Sequence, residues 1–475
     1  MIELRETFRV DRDIEEAFRY IADFRNTVEW DATAQTAQKL TEGPVGAGTR
    51  FALNCALPLG SLDIDYSIES LAPPTRLVLN GHSRLFRIRD AITLQEEQGQ
   101  LRVDYCATFE PAALLRPFAP AMRAGMTRMG RASAEGLHRA LADDFPPPPA
   151  EPEAISLARR LTGFTRRGYT RARRDWHPMS ASLAGRHALV TGATSGLGAV
   201  IAEQLARRGA KLTLVARDPR KAERGRRRIV AETGNKDVHV ELADLAELAQ
   251  VDALAARLAD RGEPLHILVN NAGALFPEHA LTSEGFERSI ALLLLSPYRL
   301  TLGLQPLLAS AGSARVVNVV SGGMYTQRLS LAQLQDTSDD NYSGPVAYAQ
   351  AKRALSIVTG HWAGQWHDQG IVVNAMHPGW VDTPGLATSL PGFHKLTRCA
   401  LRTPEQGADT AVWLAAATEA DQLSGHLFLD RQVQPLHLKR STEESAADRA
   451  ALLDWLRRFD PCEDGAPINE ELRAS

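Results

Sequence analysis

Two periodicities divide the chain. Leu62, Ile64, Tyr66 and Ile68 are interleaved with Asp63, Asp65, Ser67 and Glu69, and Leu101, Val103, Tyr105, Ala107 and Phe109 with Arg102, Asp104, Cys106 and Thr108. A side-chain period of two turns one face to a core and the other to water, so these stretches predict half-buried antiparallel strands. Ahead of them Ile14, Phe18 and Ile21 share one face of a short helix within Asp13–Asp23. After them Phe118, Met122, Met126, Met129 and Leu137 line a longer helix, with Ser133 among them and Pro120 tolerable only in the first turn. That order fits a curved sheet gripping a long terminal helix.

One position breaks the alternation. In the run Phe86, Ile88, Asp90, Ile92, Leu94 the aspartate stands where an apolar side chain belongs. A buried carboxylate needs a partner, so an inward Asp90 would orient a ligand hydroxyl. A bulge that turns Asp90 to solvent is the reading favoured here.

Beyond the proline-rich stretch Phe145–Pro152, which is stiff, extended and unable to sustain a helix, the pattern changes. Short apolar runs at His187–Val190, Leu212–Ala216, Val240–Leu242, Ile267–Asn270 and Val316–Val320 alternate with helical segments. Such alternation predicts a doubly wound parallel sheet. The domains read as 1–145, an α+β helix-grip unit; 146–153, a linker; 154–183, a basic helix and connector; 184–435, an α/β Rossmann unit; and 436–475, a helical tail. A tail helix capped by Ser441 and running to about Phe459 puts Ala447, Leu452, Trp455 and Leu456 along one side.

Between the two units, Ala154–Trp176 reads as one amphipathic helix. Arg159, Arg160, Arg166, Arg167, Arg171, Arg173 and Arg174 fall on one half-circle; Leu157, Ala158, Leu161, Phe164, Tyr169, Ala172 and Trp176 fall on the other. It either lies on an anionic membrane surface or docks its apolar side on the C-terminal α/β unit with the arginines solvated, and docking is preferred. Gly163 and Gly168 weaken it in either case.

The 475 residues carry a formal net charge of −3, which excludes a global field selecting nucleic acid. Cys55, Cys106, Cys399 and Cys462 lack metal or redox spacing and suit a reducing compartment. The opening Met1–Glu6 has no signal-type apolar core, and Pro297, Arg299 and Pro306 interrupt the apolar segment Ala291–Leu308. A cytoplasmic protein is expected, with peripheral membrane contact through 154–176 and homo-oligomerisation as further options.

Thr191-Gly192-Ala193-Thr194-Ser195-Gly196-Leu197-Gly198 joins an apolar run to a helical pattern. Glycines at a strand-to-helix turn let the backbone approach a pyrophosphate and aim unpaired helix N–H groups at it. Further on come Asn270-Asn271-Ala272-Gly273, the strand-end Ser321, and Tyr348 and Lys352, four apart on one helix face. A phenol near an ammonium ionises more readily, so Tyr348 is the candidate acid/base, Lys352 its electrostatic support, and Ser321 the group that holds a substrate oxygen.

With Pro378-Gly379-Trp380-Val381-Asp382-Thr383, this set resembles the short-chain dehydrogenase/reductase family over roughly 184–435. The resemblance implies hydride exchange between a nicotinamide dinucleotide and a carbonyl or alcohol. The cofactor contacts it implies are Gly192, Ser195, Gly196, Leu197 and Gly198 in the turn; Arg217; Asp244 at the adenine; Asn271 along the ribose side with Ala272 and Gly273; Tyr348 and Lys352; and Pro378, Gly379, Val381 and Thr383 toward the nicotinamide. NAD-preferring relatives carry an acid at the end of the second strand. Here Ala216 and Arg217 stand there, suited to a 2′-phosphate, so NADP(H) is expected over NAD(H), although Asp218 could compete for Arg217. The family's fourth catalytic position, an Asn that supports a water chain to the lysine, is Leu293 in this chain. No metal is implied.

The first unit, with Trp30-Asp31 and the Gly43–Thr49 turn, resembles the START-like polyketide cyclase and lipid-transfer superfamily, whose members hold an apolar ligand between sheet and helix. The expected protein is therefore an NADP(H)-dependent oxidoreductase for a hydrophobic carbonyl, alcohol or lipid. A lipid-binding or transfer protein with a low-turnover reductase unit is the rival.

Overall fold

The computed structural model describes residues 2–31, 33–57, 60–112, 117, 119–142, 149–152, 156–389 and 391–461. Phe118, the side chain of Met122, the proline run 145–148, Ala154, the side chains of Leu157 and Ala158, and Cys462 with the rest of the tail lie outside the described residues. The chain forms two compact units: Met1–Pro146 with Arg174–Ser182 and Ala231–Gly234, and Pro147–Arg173 with Leu183–Val230 and Asn235–Ser475.

In the first unit, β1 (Ile2–Val10), β2 (Ala34–Lys39), β3 (Arg50–Leu57), β4 (Gly60–Ala72), β5 (Arg76–His82), β6 (Phe86–Glu97) and β7 (Gln100–Pro111) form one antiparallel sheet in the order β1-β7-β6-β5-β4-β3-β2. It packs against the helix Ala119–Ala142, where Ala134, Leu137, Ala140 and Leu141 are buried. Two glycines let neighbours approach this helix closely: a Cβ on Gly130 would lie 2.3 Å from Leu4 of β1, and one on Gly136 would lie 1.9 Å from the carbonyl of Trp30 in the short helix Thr27–Trp30.

Asp90 corrects the bulge reading. Strand β6 (Phe86–Glu97) keeps unbroken register on both sides, Leu79↔Asp90 and Asp90↔Ala107, so the side chain points inward and is 2% exposed. The Tyr105 hydroxyl donates to Asp90 Oδ1 (3.1 Å), and Tyr66 supplies a second hydrogen bond. Two phenol donors meet the need of the buried oxygens, and no bulge is required.

The second unit holds β8 (His187–Thr191), β9 (Lys211–Ala216), β10 (Val238–Leu242), β11 (Ile267–Asn270), β12 (Ala314–Val319), β13 (Ile371–Met376), β14 (Leu427–Leu429) and β15 (Gln432–Gln434) in the order β10-β9-β8-β11-β12-β13-β14-β15, parallel except for the final hairpin. Strand β8 lies between β9 (Lys211–Ala216) and β11 (Ile267–Asn270), so the strand order reverses at β8, the place where such sheets open a crevice for ligands. Strand β12 (Ala314–Val319) and the helix Gly344–Trp366 carry the remaining chemistry.

The arginine-rich segment is two helices, Leu157–Gly163 and Arg166–Ala172, instead of one. The break follows from the glycines: a Cβ on Gly168 would lie 2.2 Å from the Gly163 carbonyl, so the two turns fold back on each other. Phe164 and Tyr169 are buried within the second unit, while Leu161, assigned to the same apolar side, is 41% exposed. The arginines are not all solvated either, since Arg160 donates to Gln434 Oε1 (3.3 Å) and Arg166 to the Leu401 carbonyl (3.2 Å).

Ser441 lies in a single 3-10 turn. The tail helix, Ala446–Arg457, is capped by Ser445, whose hydroxyl accepts from the Asp448 N–H while Asp448 accepts from the Ser445 N–H. Leu452, Trp455, Leu456 and Phe459 join the core. By length and composition the helical segment Arg288–Ser310 is apolar enough to cross a membrane, but 67% of its most apolar window is buried inside this unit.

Candidate active site

The glycine turn after β8 is built for close approach. Gly192 and Gly196 have φ of +65° and +54°, the left-handed region that favours glycine. A Cβ on Gly198 would lie 2.3 Å from the Gly192 carbonyl, so the turn closes on itself as the helix Gly196–Arg207 begins. Ser195 precedes that helix and makes no side-chain cap, and Leu197 packs near Gly407. The adjoining strand end is tied in by Thr191, whose hydroxyl accepts from the N–H groups of Asn271 (2.9 Å) and Ala272 (3.0 Å). Asn271 Nδ2 donates back to the Thr191 carbonyl (2.9 Å), so this side chain fixes the turn. A short backbone cradle at a helix N-terminus fits a dinucleotide pyrophosphate.

Arg217 is exposed just past β9 and, among the described residues, has no ion pair. Asp218 does not compete for it: its carboxylate accepts from the N–H groups of Arg220 (2.9 Å) and Lys221 (3.0 Å), which hold it below the usual carboxylate range. Asp244 is half-buried after β10 (Val238–Leu242) and accepts from the Ala246 N–H (3.1 Å). Thr383 Oγ1 accepts from the Leu386 N–H (3.2 Å), and its methyl lies 3.7 Å from where a Cβ on Gly196 would stand. Val381 is buried, Pro378 is half-buried, and Gly379 has φ +74°.

Ser321, Tyr348 and Lys352 meet beyond the end of β12. Ser321 Oγ accepts from the Gly323 N–H (3.2 Å) and hydrogen-bonds Tyr348. Burial pushes the Tyr348 phenol above its usual range, and the Ser321 hydrogen bond opposes that rise. Lys352 is 3% exposed; its Nζ donates to the Val319 carbonyl (2.6 Å), and burial alone brings its ammonium down to about 7. The lysine adjoins the cofactor side, since a Cβ on Gly273 would lie 3.8 Å from Nζ. Leu293 is fully buried in the π turn Ala291–Leu295 and lies 3.0 Å from the same point.

Three further residues shape the site without any local sequence signal. The Phe164 ring lies beneath the Ser321 loop, 3.3 Å from where a Cβ on Gly322 would be, and packs on His377, Tyr325 and Trp380. Arg402, buried and bidentate to Asp430 (2.6 and 2.7 Å), donates to the Phe164 carbonyl (3.1 Å) and so clamps that corner to the Pro378–Thr383 loop. Arg353, fully buried beside Lys352, donates to the Met324 carbonyl (3.2 Å) and pairs with Glu444 (3.5 Å). An arginine after Y-x-x-x-K reads as a surface residue; only the long-range contacts show that it is not.

A crevice at the strand-order reversal, a glycine cradle and a Ser-Tyr-Lys set define an oxidoreductase unit. Residues 186–391 match the family model described as short chain dehydrogenase, and residues 1–142 that described as polyketide cyclase / dehydrase and lipid transport. The chain belongs to the short-chain dehydrogenase/reductase family, with a polyketide cyclase-like domain at its N-terminal side. It is 38% identical over 309 residues to dehydrogenase/reductase SDR family member 12 of Homo sapiens, covering 64% of this chain and 96% of that protein. Polyprenol dehydrogenase of Mus musculus is 34% identical over 313 residues, with coverage of 61% and 88%. Retinol dehydrogenase 11 of Mus musculus is 33% identical over 256 residues, with coverage of 54% and 80%.

Proposed function

We propose that this chain is an NADP(H)-dependent oxidoreductase for an apolar alcohol or carbonyl, and that its first unit holds the same or a related lipid-like molecule. The observation that carries the reading is that Ser321 hydrogen-bonds Tyr348 while Lys352, one turn further along the same helix, bonds the Val319 carbonyl and stands beside Gly273 on the side of the glycine turn. A bound nicotinamide dinucleotide supplies or accepts the hydride. Ser321 holds the substrate oxygen, Tyr348 gives or takes its proton, and Lys352 in its charged form favours the phenolate. Arg217, unpaired among the described residues, supports preference for a 2′-phosphate.

The apolar substrate class is supported by relatives named for retinol and polyprenol, both long apolar alcohols, and by the lipid-transport description of the first unit. Fusing a lipid-binding unit to an oxidoreductase raises the local concentration of a poorly soluble substrate. Leu293 favours a second reading, a lipid-binding protein with little turnover. Incubating the full chain with NADPH and hydrophobic ketones or aldehydes, and with NADP+ and the matching alcohols, separates the two. Turnover of apolar substrates is expected; none in either direction, with lipid retained in native mass spectra, overturns the enzyme reading.

A further inference from the structure

The inner side of the first unit carries a polar cluster that the oxidoreductase chemistry does not use. Along β6 and β7 the inward pairs run Ile88↔Phe109, Asp90↔Ala107 and Ile92↔Tyr105. The Tyr105 hydroxyl donates to Asp90 Oδ1 (3.1 Å). Tyr66 stands on β4 and reaches Asp90 across the intervening β5 at Gly81, where a Cβ would lie 2.7 Å from the Tyr66 ring. The Phe24 ring, 4.8 Å away centre to centre, packs on that of Tyr66.

Both phenol protons are spent on Asp90, so the cluster has only acceptors left to offer. The groups that act on it from other positions are Asp31 after the helix Thr27–Trp30, Cys55 on β3 and Cys106 on β7, none of them a cation. A carboxylate has about four acceptor sites, and with two donors in place it gains from a third.

The cluster lies close to a half-open end of the unit. Strand β1 meets the helix Ala119–Ala142 with Leu4 at Gly130 and with Phe8 at His138 (rings 5.0 Å apart), so Ile2 and its partner Phe109 lie toward the Met126 turn. Phe109 and Met126 are only half-buried there, whereas Leu137 and Leu141 further along the helix are fully buried. Ala107 is two residues in from Phe109, which puts Asp90 about 7 Å inside this apolar rim, opposite a small side chain.

We propose that Asp90, Tyr66 and Tyr105 form the polar end of a ligand site that accepts the hydroxyl proton of an apolar alcohol and disfavours the matching ketone or aldehyde. A carbonyl oxygen brought to the same place meets only acceptors and is repelled. The inference deepens the reading that the first unit holds a lipid-like molecule, and rests on it.

The test is calorimetric titration of the full chain, without nucleotide and so without turnover, with cyclododecanol, cyclododecanone and cyclododecane, the hydrocarbon measuring apolar burial alone. At pH 7.5 the alcohol should bind at least ~10-fold more tightly than the ketone, the scale of a hydrogen bond to a charged group. The Asp90 carboxyl takes up its proton at about 6 and can then donate to a ketone, so the gap should narrow toward pH 5. That series needs no variant. Asp90→Asn, which removes the charge and adds a donor, should abolish most of the gap at pH 7.5. Equal affinities for alcohol and ketone at pH 7.5, or a preference that neither acid pH nor Asp90→Asn narrows, overturn this proposal alone. Failure of all three compounds to bind overturns it together with the lipid-holding reading.

Discussion

Lys352 donates to the main-chain oxygen of Val319 across 2.6 Å, and that contact keeps the ammonium buried beside Tyr348. A buried cation is a cost to folding that the site carries for its chemistry. Its folded pKa of about 7 lies below the ordinary 10.5, so the unfolded chain binds more protons between those values. Stability tied to this group is therefore missing below pH 7 and is recovered as pH rises toward 10.5. Lys352→Met should stabilise the ligand-free protein by about 1–3 kcal/mol at pH 6.5, with a smaller gain at pH 9, while abolishing turnover. Denaturant unfolding at the two pH values checks it.

Asp90 gives a slope of opposite sign in the first unit. Burial raises its carboxyl from 3.8 to about 6, with hydrogen bonds from Tyr105 and Tyr66 opposing the rise. The folded form binds the proton more tightly, so the contribution is fully present below the unfolded value and is lost as pH climbs through about 6. Asp90→Asn should therefore relieve up to about 3 kcal/mol at pH 7.5 and little at pH 4. Hydrogen-exchange protection of β4 (Gly60–Ala72) and β7 at those pH values reports the change.

The proposed cofactor preference rests on Arg217. The full chain is expected to bind NADPH at least ~10-fold more tightly than NADH, about 1.4 kcal/mol. Arg217→Ala should erase most of that gap and leave NADH binding nearly unchanged. Fluorescence titration with both cofactors distinguishes this from equal affinities, which would remove the assignment.

Phe164 links the arginine-rich segment to the catalytic loop. Phe164→Ala should cost about 3–5 kcal/mol, because its ring fills a buried site against His377, Tyr325 and Trp380. Turnover should fall with it, since Gly322 rests on that ring. Unfolding and kinetics on one preparation test both effects.

Much of this was legible in the chain. Alternation from Leu62 to Phe109 marks strands because a half-buried sheet imposes a period of two, and the glycine turn with Tyr348 and Lys352 marks the site because both motifs are local. What the sequence hid is non-local. Asp90 looked like a bulge because the donors that satisfy it, Tyr105 and Tyr66, sit on other strands. The arginine stripe looked continuous because helical period says nothing of Gly168 packing on Gly163. Ser441 and Ser445 offer equal capping chemistry, each with an acid three residues on, and it is the pairing of Glu444 with Arg353 that leaves the cap to Ser445 and Asp448. Arg353 and Arg402 act through partners far along the chain.

The most direct test is Tyr348→Phe in the full chain, assayed with NADPH and the hydrophobic carbonyl panel. On the proposed reading Tyr348 gives or takes the substrate proton, so turnover should fall by at least ~100-fold while NADPH binding survives. Wild-type turnover that persists undiminished in Tyr348→Phe would contradict the account.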